Sequence, residues 1–443
     1  MSNSLISLLQ DPQLQRTALL LGPALLAALL VLVVKPTPRQ ATAAMVAFLW
    51  QLPALLLLHL LATDFGWWRF AAEGNLLLGL PIDLWVGWAI WWGPVAVFLR
   101  RWIPLLPLVA GMALLDLIAM PLLAPLVVLD PAWMIGEPVA LGLCLLPALV
   151  FARLTEADRR PVLRTTFHAL GWAGYTLFLL PSAALAYEGR DLSEALRLLT
   201  WADAGLGLLL LAGILVGLAG AYEFATEGDG TPIPFDPPKR VVVSGPYAFI
   251  ANPMQLGSAL MMAAQAAAFG SPALWLITVS FVVFDTVYAT WYNRVHIARA
   301  LPEDWRAYRR HVREWRFAWR GYRPARARLL LPDSSLANRI LARALQRFGD
   351  GQLEVRAARC FVTERRVRLR YLCPEPTIEA SGIVALGRSL EHLGLPFAAC
   401  GWALRLPPVA ALLEILAAGL PLRRAAARLE ARLAACPINA RSG

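Results

Sequence analysis

Residues 204–222 read AGLGLLLLAGILVGLAGAY, and residues 253–292 read PMQLGSALMMAAQAAAFGSPALWLITVSFVVFDTVYATWY. The first run carries no charge, and the second carries only Asp285. Uncharged apolar stretches near 20 residues match the thickness of a bilayer. Working outward, the same signature recurs and predicts nine spans, at about 16–34, 43–62, 83–99, 103–128, 133–152, 166–187, 199–222, 254–269 and 273–292. Backbone polar groups must be satisfied internally in hydrocarbon, so each span is read as a helix. The eighth is short and meets the ninth through Phe269-Gly270-Ser271-Pro272. A hairpin dipping into the bilayer fits that pair nearly as well as two crossings.

The whole chain agrees with this reading. Of 443 residues, 58% are hydrophobic and 16% charged, whereas a soluble domain has about 25% charged residues. Disorder, coiled coil and collagen are excluded on the same composition. The net charge of +11 comes from 41 basic and 30 acidic residues. The basic ones follow alternate spans: Lys35 and Arg39, Arg100 and Arg101, Arg153 to Arg164, Lys239 and Arg240, then a dense run after the ninth. The positive-inside rule therefore predicts an outer N-terminus and a cytoplasmic tail. The same placement makes the basicity a lipid-facing signal, and no nucleic-acid partner is expected. The N-terminal apolar run lacks a basic leader and a cleavage site, so it reads as a retained helix. Cys144, Cys360, Cys373, Cys400 and Cys436 form no C-x-x-C pair and read as a reduced, structural set.

Ionisable groups inside the spans need partners. They are His59, Asp116, Glu137, His168 and Asp285. Asp116 before Pro121 and Glu137 before Pro138 predict kinked helices. With His168 they line either a polar substrate cavity or an ordinary helix–helix contact. The clustered Trp67, Trp68, Trp85, Trp88, Trp91 and Trp92 read as an interfacial aromatic belt.

Residues 293–330 read as a helix leaving the membrane, then an amphipathic stretch on its surface. Residues 345–443 read as a small soluble domain, with strands near 353–355 and 367–371 and helices at 383–394, 405–418 and 420–435. Its prolines read as loop punctuation. The expected organisation is a six-helix domain (1–198), a second membrane domain with its loop and tail (199–330), and the soluble domain (345–443). The fold class is thus an all-α polytopic membrane protein of about nine transmembrane helices with a small α/β cytoplasmic C-terminal domain.

The most specific segment is the loop from Glu227 to Gly257, EGDGTPIPFDPPKRVVVSGPYAFIANPMQLG. Its glycines and prolines hold an extended path, and Asn252-Pro253 can start a helix, because Asn caps and Pro suits the first turn. The exposed amides there suit an anionic or polar group. This segment resembles the membrane-embedded methyltransferases typified by isoprenylcysteine carboxyl methyltransferases and bacterial phospholipid N-methyltransferases. Gly230, Thr231, Pro232, Pro234, Pro237 and Pro238 match the first part of their loop. Gly245, Pro246 and Tyr247 match the second, and Asn252, Pro253, Met254 and Gly257 the third. The likeness covers about 200–320. It implies S-adenosyl-L-methionine bound at the cytoplasmic face of a bacterial inner membrane and a lipidic or prenylated acceptor entering from the bilayer.

Residue by residue, it places Gly245, Pro246, Tyr247, Asn252, Pro253, Asn293, Trp305 and Tyr308 at the cofactor, and Asn252, Gln255 and Arg294 at the chemistry. The departures are Ala248 and Ala251 in place of arginines, Gln255 in place of tyrosine, and Asn293-Arg294 where the family tends to have a glutamate. Two other readings stay open: a non-catalytic membrane subunit or assembly factor that docks a membrane protein partner, and a carotenoid- or quinone-modifying enzyme. Residues 385–407 also resemble the helical half of small bacterial thiol–disulfide oxidoreductase-like domains, without their opening Cys-x-x-Cys, so no redox role follows.

Overall fold

The computed structural model describes residues 11–197, 203–232, 238–292, 295, 297–331, 336–357 and 369–419. Among them, eight helices are long and apolar enough to cross a membrane. They are α1 (Pro12–Val34), α2 (Pro38–Asp64), α3 (Ile82–Leu99), α4 (Leu105–Leu122), α5 (Trp133–Glu156), α6 (Pro161–Tyr187), α7 (Ala204–Glu227) and α9 (Pro272–Tyr292). The chain is therefore read as a multi-pass membrane protein. The expected eighth span is α8, Pro253–Ala268, with 16 residues. At 1.5 Å per residue it is about 24 Å long, short of a hydrocarbon core of about 30 Å.

The expected span at 103–128 also ends early. Its helix stops at Leu122, and Val127–Leu129 forms a strand, β2, paired antiparallel with β1 (Trp68–Phe70). Pro121 and Pro125 withhold two backbone donors there, and the β-branched pair that follows suits a strand. The pairing joins the α2–α3 and α4–α5 connections on one side of the membrane, as a path of alternating crossings demands.

The chain forms two compact units, Met1–Ala204 with Gln265–Thr278, and Gly205–Ala264 with Val279–Gly443. In the first, α2 contributes Ala43, Ala47, Leu55, Leu56 and Leu58 to the core. Prolines inside these helices orphan carbonyls, and neighbouring side chains cap them. Pro147 has no N–H for the Leu143 carbonyl, and the Trp50 indole donates to it at 3.1 Å. Pro53 does the same to Leu49, and the Tyr175 hydroxyl donates there at 2.8 Å. Three helices also widen by one residue at Trp91–Val95, Leu141–Leu145 and Gly174–Leu179, beside Pro94, Pro147 and Pro181. The buried Gln51 amide donates to Trp92 and Cys144 carbonyls in two of these turns, at 3.3 Å each.

In the second unit α7 and α8 meet through glycines. A Cβ on Gly257 would lie 2.6 Å from both the Gly213 carbonyl oxygen and the Gly217 nitrogen, the close backbone approach that small residues allow in membranes. Beyond α9 the chain forms α10 (Pro302–Arg309) and then runs without helix to strand β3 (Ala327–Leu331). Within the stretch expected to lie on the membrane surface, residues 310–326 form turns and bends without helix.

β3 is central in a four-stranded sheet of order β4-β3-β5-β6, with β4 (Leu353–Ala357), β5 (Arg370–Pro374) and β6 (Thr377–Ser381). The small mixed fold therefore takes in residues that the sequence reading left to the connecting stretch. One sheet face, with Ala327, Leu329, Leu331, Tyr371 and Ile378, packs under Leu345 of α11 (Leu336–Phe348) and Ala385 of α12 (Gly382–Leu390). Two further helices follow, α13 (Leu395–Arg405), which the sequence reading did not anticipate, and α14 (Pro407–Gly419). Pro396 and Pro407 open these helices, where a missing N–H is harmless, and do not mark loops. The expected helix at 420–435 lies outside the described residues.

Candidate functional site

The Glu227–Gly257 loop returns to the membrane through a tight turn, Gly245–Ala248. Gly245 has φ +59°, and a Cβ there would meet the Glu223 carboxyl at 2.7 Å. Glycine is thus required on both counts. The next residues are fastened to the tail that follows α10 by backbone bonds. Ala251 N–H donates to the Arg313 carbonyl at 2.9 Å, Ala318 N–H to Phe249 at 2.9 Å, and Tyr322 N–H to Ala248 at 2.8 Å. The Tyr308 hydroxyl, on α10, donates to the Tyr247 carbonyl at 2.8 Å. Burial pushes both phenols above their ordinary range. Both stay neutral at physiological pH, so Tyr308 serves here as a donor.

A cleft opens beside this turn. Loop residues Thr231, Pro232, Val241, Tyr247, Asn252 and Gln255 line it together with Phe224 of α7, Tyr288, Ala289 and Tyr292 of α9, and Trp305 and Tyr308 of α10. Five of the residues singled out from sequence, Tyr247, Asn252, Gln255, Trp305 and Tyr308, therefore meet at one cleft. Gly245 and Pro246 build the turn behind it. Pro253 opens α8 and packs on Gly220, where a Cβ would find its ring at 3.0 Å. Asn293 and Arg294 lie outside the described residues.

The residues suggested for a cavity in the first six spans divide. The carboxyl groups of Asp116 and Glu137 are neighbours, and Glu137 is buried. The His168 ring instead packs edge-on against Phe151, at 4.6 Å between centroids.

Behind the turn lies an ionic network that sequence reasoning did not find. Glu223, buried on α7, accepts from the Ser244 hydroxyl at 2.5 Å and from Arg388 at 2.5 Å. Its second oxygen accepts from Arg405. Arg388 also donates to Glu227 at 2.9 Å, and Arg405 to Glu391. Arg323 reaches Glu391 at 3.5 Å. The C-terminal fold is thus bonded directly to the helix and turn that frame the cleft. One signal was available: an ionisable residue within an apolar span needs a partner. Its partners, 165 and 182 positions away, carry no motif.

The same docking explains an alanine. Ala248 is fully enclosed by Phe249, Ala398 and Trp402 in one cluster, and Gly321 packs close to its methyl. No arginine side chain has room there.

The comparisons with known proteins bear on this segment. No match is found among curated proteins or solved structures. The phospholipid methyltransferase family profile matches residues 204–304, which include α7, the Gly245–Ala248 turn and α9, and suggests membership in the phospholipid and isoprenylcysteine methyltransferase superfamily.

Proposed function

We propose that the cleft holds S-adenosyl-L-methionine and that the chain transfers its methyl group to a lipidic acceptor arriving from the bilayer. The carrying observation is that loop residues and α9 of the family-matched region line one cleft with Trp305 and Tyr308, which follow directly after it. The lining suits the cofactor. Phe224, Tyr247, Tyr288, Tyr292, Trp305 and Tyr308 offer aromatic faces, which favour both a flat base and a sulfonium. Asn252 and Gln255 supply amides for its polar groups. No charged side chain occurs among the described lining residues, and Arg294 is our candidate for the cofactor carboxylate.

When bound, the cofactor supplies an activated methyl group. The chain's task is to align the acceptor and exclude water. Tyr308 locks the Tyr247 carbonyl, and the tail bonds at 248–251 fix the turn beside the aromatic wall. Tyr288 and Tyr292, on a membrane helix, give the acceptor an approach from the lipid side. A specific headgroup or prenyl acceptor belongs to the same proposal.

The test is binding of labelled S-adenosyl-L-methionine to protein in lipid nanodiscs, followed by methyl transfer to lipid extracts. Saturable binding is expected, weakened about five- to tenfold in Tyr308→Phe through loss of one buried hydrogen bond. No binding by the unaltered protein at millimolar cofactor overturns the reading. The uncharged lining favours a second reading, a non-catalytic platform. A stoichiometric co-purifying membrane protein without methyl transfer would select it.

A further inference from the structure

The C-terminal fold has two unlike sides. The outer sheet face carries an ion ladder, Arg328 with Glu354 at 3.4 Å and Arg356 with Glu354 at 2.7 Å. Helices cover the other face, and their outermost pair is apolar. From Leu395 to Gly419 the sequence holds two charged residues, Arg405 and Glu414. Both are engaged inward: Arg405 donates to Glu223 and Glu391, and Glu414 accepts from the Ile383 N–H at 3.0 Å. Phe397, Leu412, Ile415 and Leu416 point outward, between 52% and 68% exposed.

The position of α13 says what covers them. Ala398 and Trp402 share one packed cluster with Val216 and Ala219 of α7. Those two residues lie about 10 and 6 Å from Glu223 along the helix axis, on the side away from its Glu227 end. That part of α7 belongs to a membrane span. Helix α13 therefore packs beside a spanning helix below the level of its terminal carboxylates. Together α13 and α14 are apolar enough for one span, bent by 77° at their junction.

We propose that α13 and α14 form a bent helix pair immersed in the leaflet that receives the Glu227 end of α7, with lipid acyl chains against Phe397, Leu412, Ile415 and Leu416. Two facts make immersion tolerable. Helices satisfy their own backbone groups, and both ionic side chains in the pair are matched within the protein. The Glu223 bridge then lies at the headgroup level, with the ion ladder facing water.

The test uses the full chain in nanodiscs containing a phosphatidylcholine with a photoreactive diazirine on its acyl chain, followed by peptide mapping. Adducts are expected on peptides covering 397 and 412–416, as on Leu208 and Leu211 of α7, and absent from 328 and 354–356. Labelling of α7 without labelling of 395–419 overturns the proposal.

A second measurement places an environment-sensitive fluorophore at Leu416→Cys in a variant lacking the native cysteines. Nitroxide-bearing lipid should quench it several-fold more than aqueous iodide, with the reverse order at Glu354→Cys. Quenching by iodide alone puts the face in water. Quenching by neither means that residues 420–443 or a second copy covers it. Either result overturns the proposal.

Discussion

The two compact units bury polar groups by opposite means. In the first, the groups capped deep in the helices are neutral: proline-orphaned carbonyls meet the Trp50 indole and the Tyr175 hydroxyl, and Gln51 bridges two widened turns. Paired ions there sit at helix ends, Arg16 with Asp83 at 2.7 Å and Arg164 with Asp158 at 2.9 Å. The second unit places an ionised carboxylate, Glu223, within a spanning helix and surrounds it with two arginines. Neutral caps cost little to desolvate and repair a local defect. A buried ion pair costs far more to desolvate, and its loss leaves an unmatched charge. The first device preserves a helix bundle. The second ties distant segments into one arrangement and makes the cleft's frame depend on the C-terminal fold.

That contrast is most exposed at Glu223. Glu223→Leu strips a partner from both Arg388 and Arg405, and breaking such a buried pair costs about 3–5 kcal/mol. Hydrogen exchange should rise steeply across 241–252 and 383–405 and leave the first unit's helices protected. Equal protection in the variant would show that the network is ornamental.

Gly245→Ala tests the same frame from the turn. The left-handed conformation alone costs a non-glycine residue about 1–3 kcal/mol, and the added methyl collides with the Glu223 carboxyl. Thermal unfolding of the second unit should drop, and cofactor binding should fall with it. Unchanged unfolding would mean that the turn has room to relax.

The neutral caps make the smaller prediction. Trp50→Phe leaves the Leu143 carbonyl without its donor, at about 1–3 kcal/mol. Pro147→Ala restores a backbone N–H in reach of that carbonyl. The double variant should therefore be more stable than Trp50→Phe alone, a coupling that a thermal-melt cycle reads directly. Additive losses would show that the indole does not act as a cap.

These devices differ in how far sequence betrays them. Apolar runs announced the spans because a bilayer sets their length, and the glycine–proline loop announced Tyr247, Asn252 and Gln255 because its turn chemistry is local. The end of α4 was missed because an unbroken apolar run looks the same whether it finishes as helix or as strand. Ala327–Leu331 alternates inward and outward as a strand should, but lies in an arginine-rich stretch that reads as membrane surface. Glu223 stands one residue past the span read at 199–222, so it was not counted among the groups that need a partner. Its role exists only through Arg388 and Arg405, and no local pattern encodes a contact of that range.

The last test asks whether the sheet half of the C-terminal fold follows the ionic or the neutral rule. His392 is buried between Tyr371, whose hydroxyl lies 3.1 Å from Nε2, and Asp350, at 2.9 Å from Nδ1. Burial pulls the imidazole below its ordinary value of 6.5, although the Asp350 bond works against this. Burial also opposes ionisation of Asp350, yet its bond with His392 and the charges of His392 and Arg323 hold its carboxyl below the ordinary 3.8. The signs then follow from linkage. As pH falls through 6.5 the unfolded histidine takes a proton before the folded one, so native stability declines from there down to the folded value. Asp350 adds stability above its unfolded pKa, which is lost only as pH falls through its still lower folded value. A stability profile between pH 8 and pH 5 should therefore slope downward toward acid, and His392→Gln should flatten it. A profile that rises toward acid would mean that His392 is charged in the native state, and this half of the fold would join Glu223 on the ionic side of the comparison.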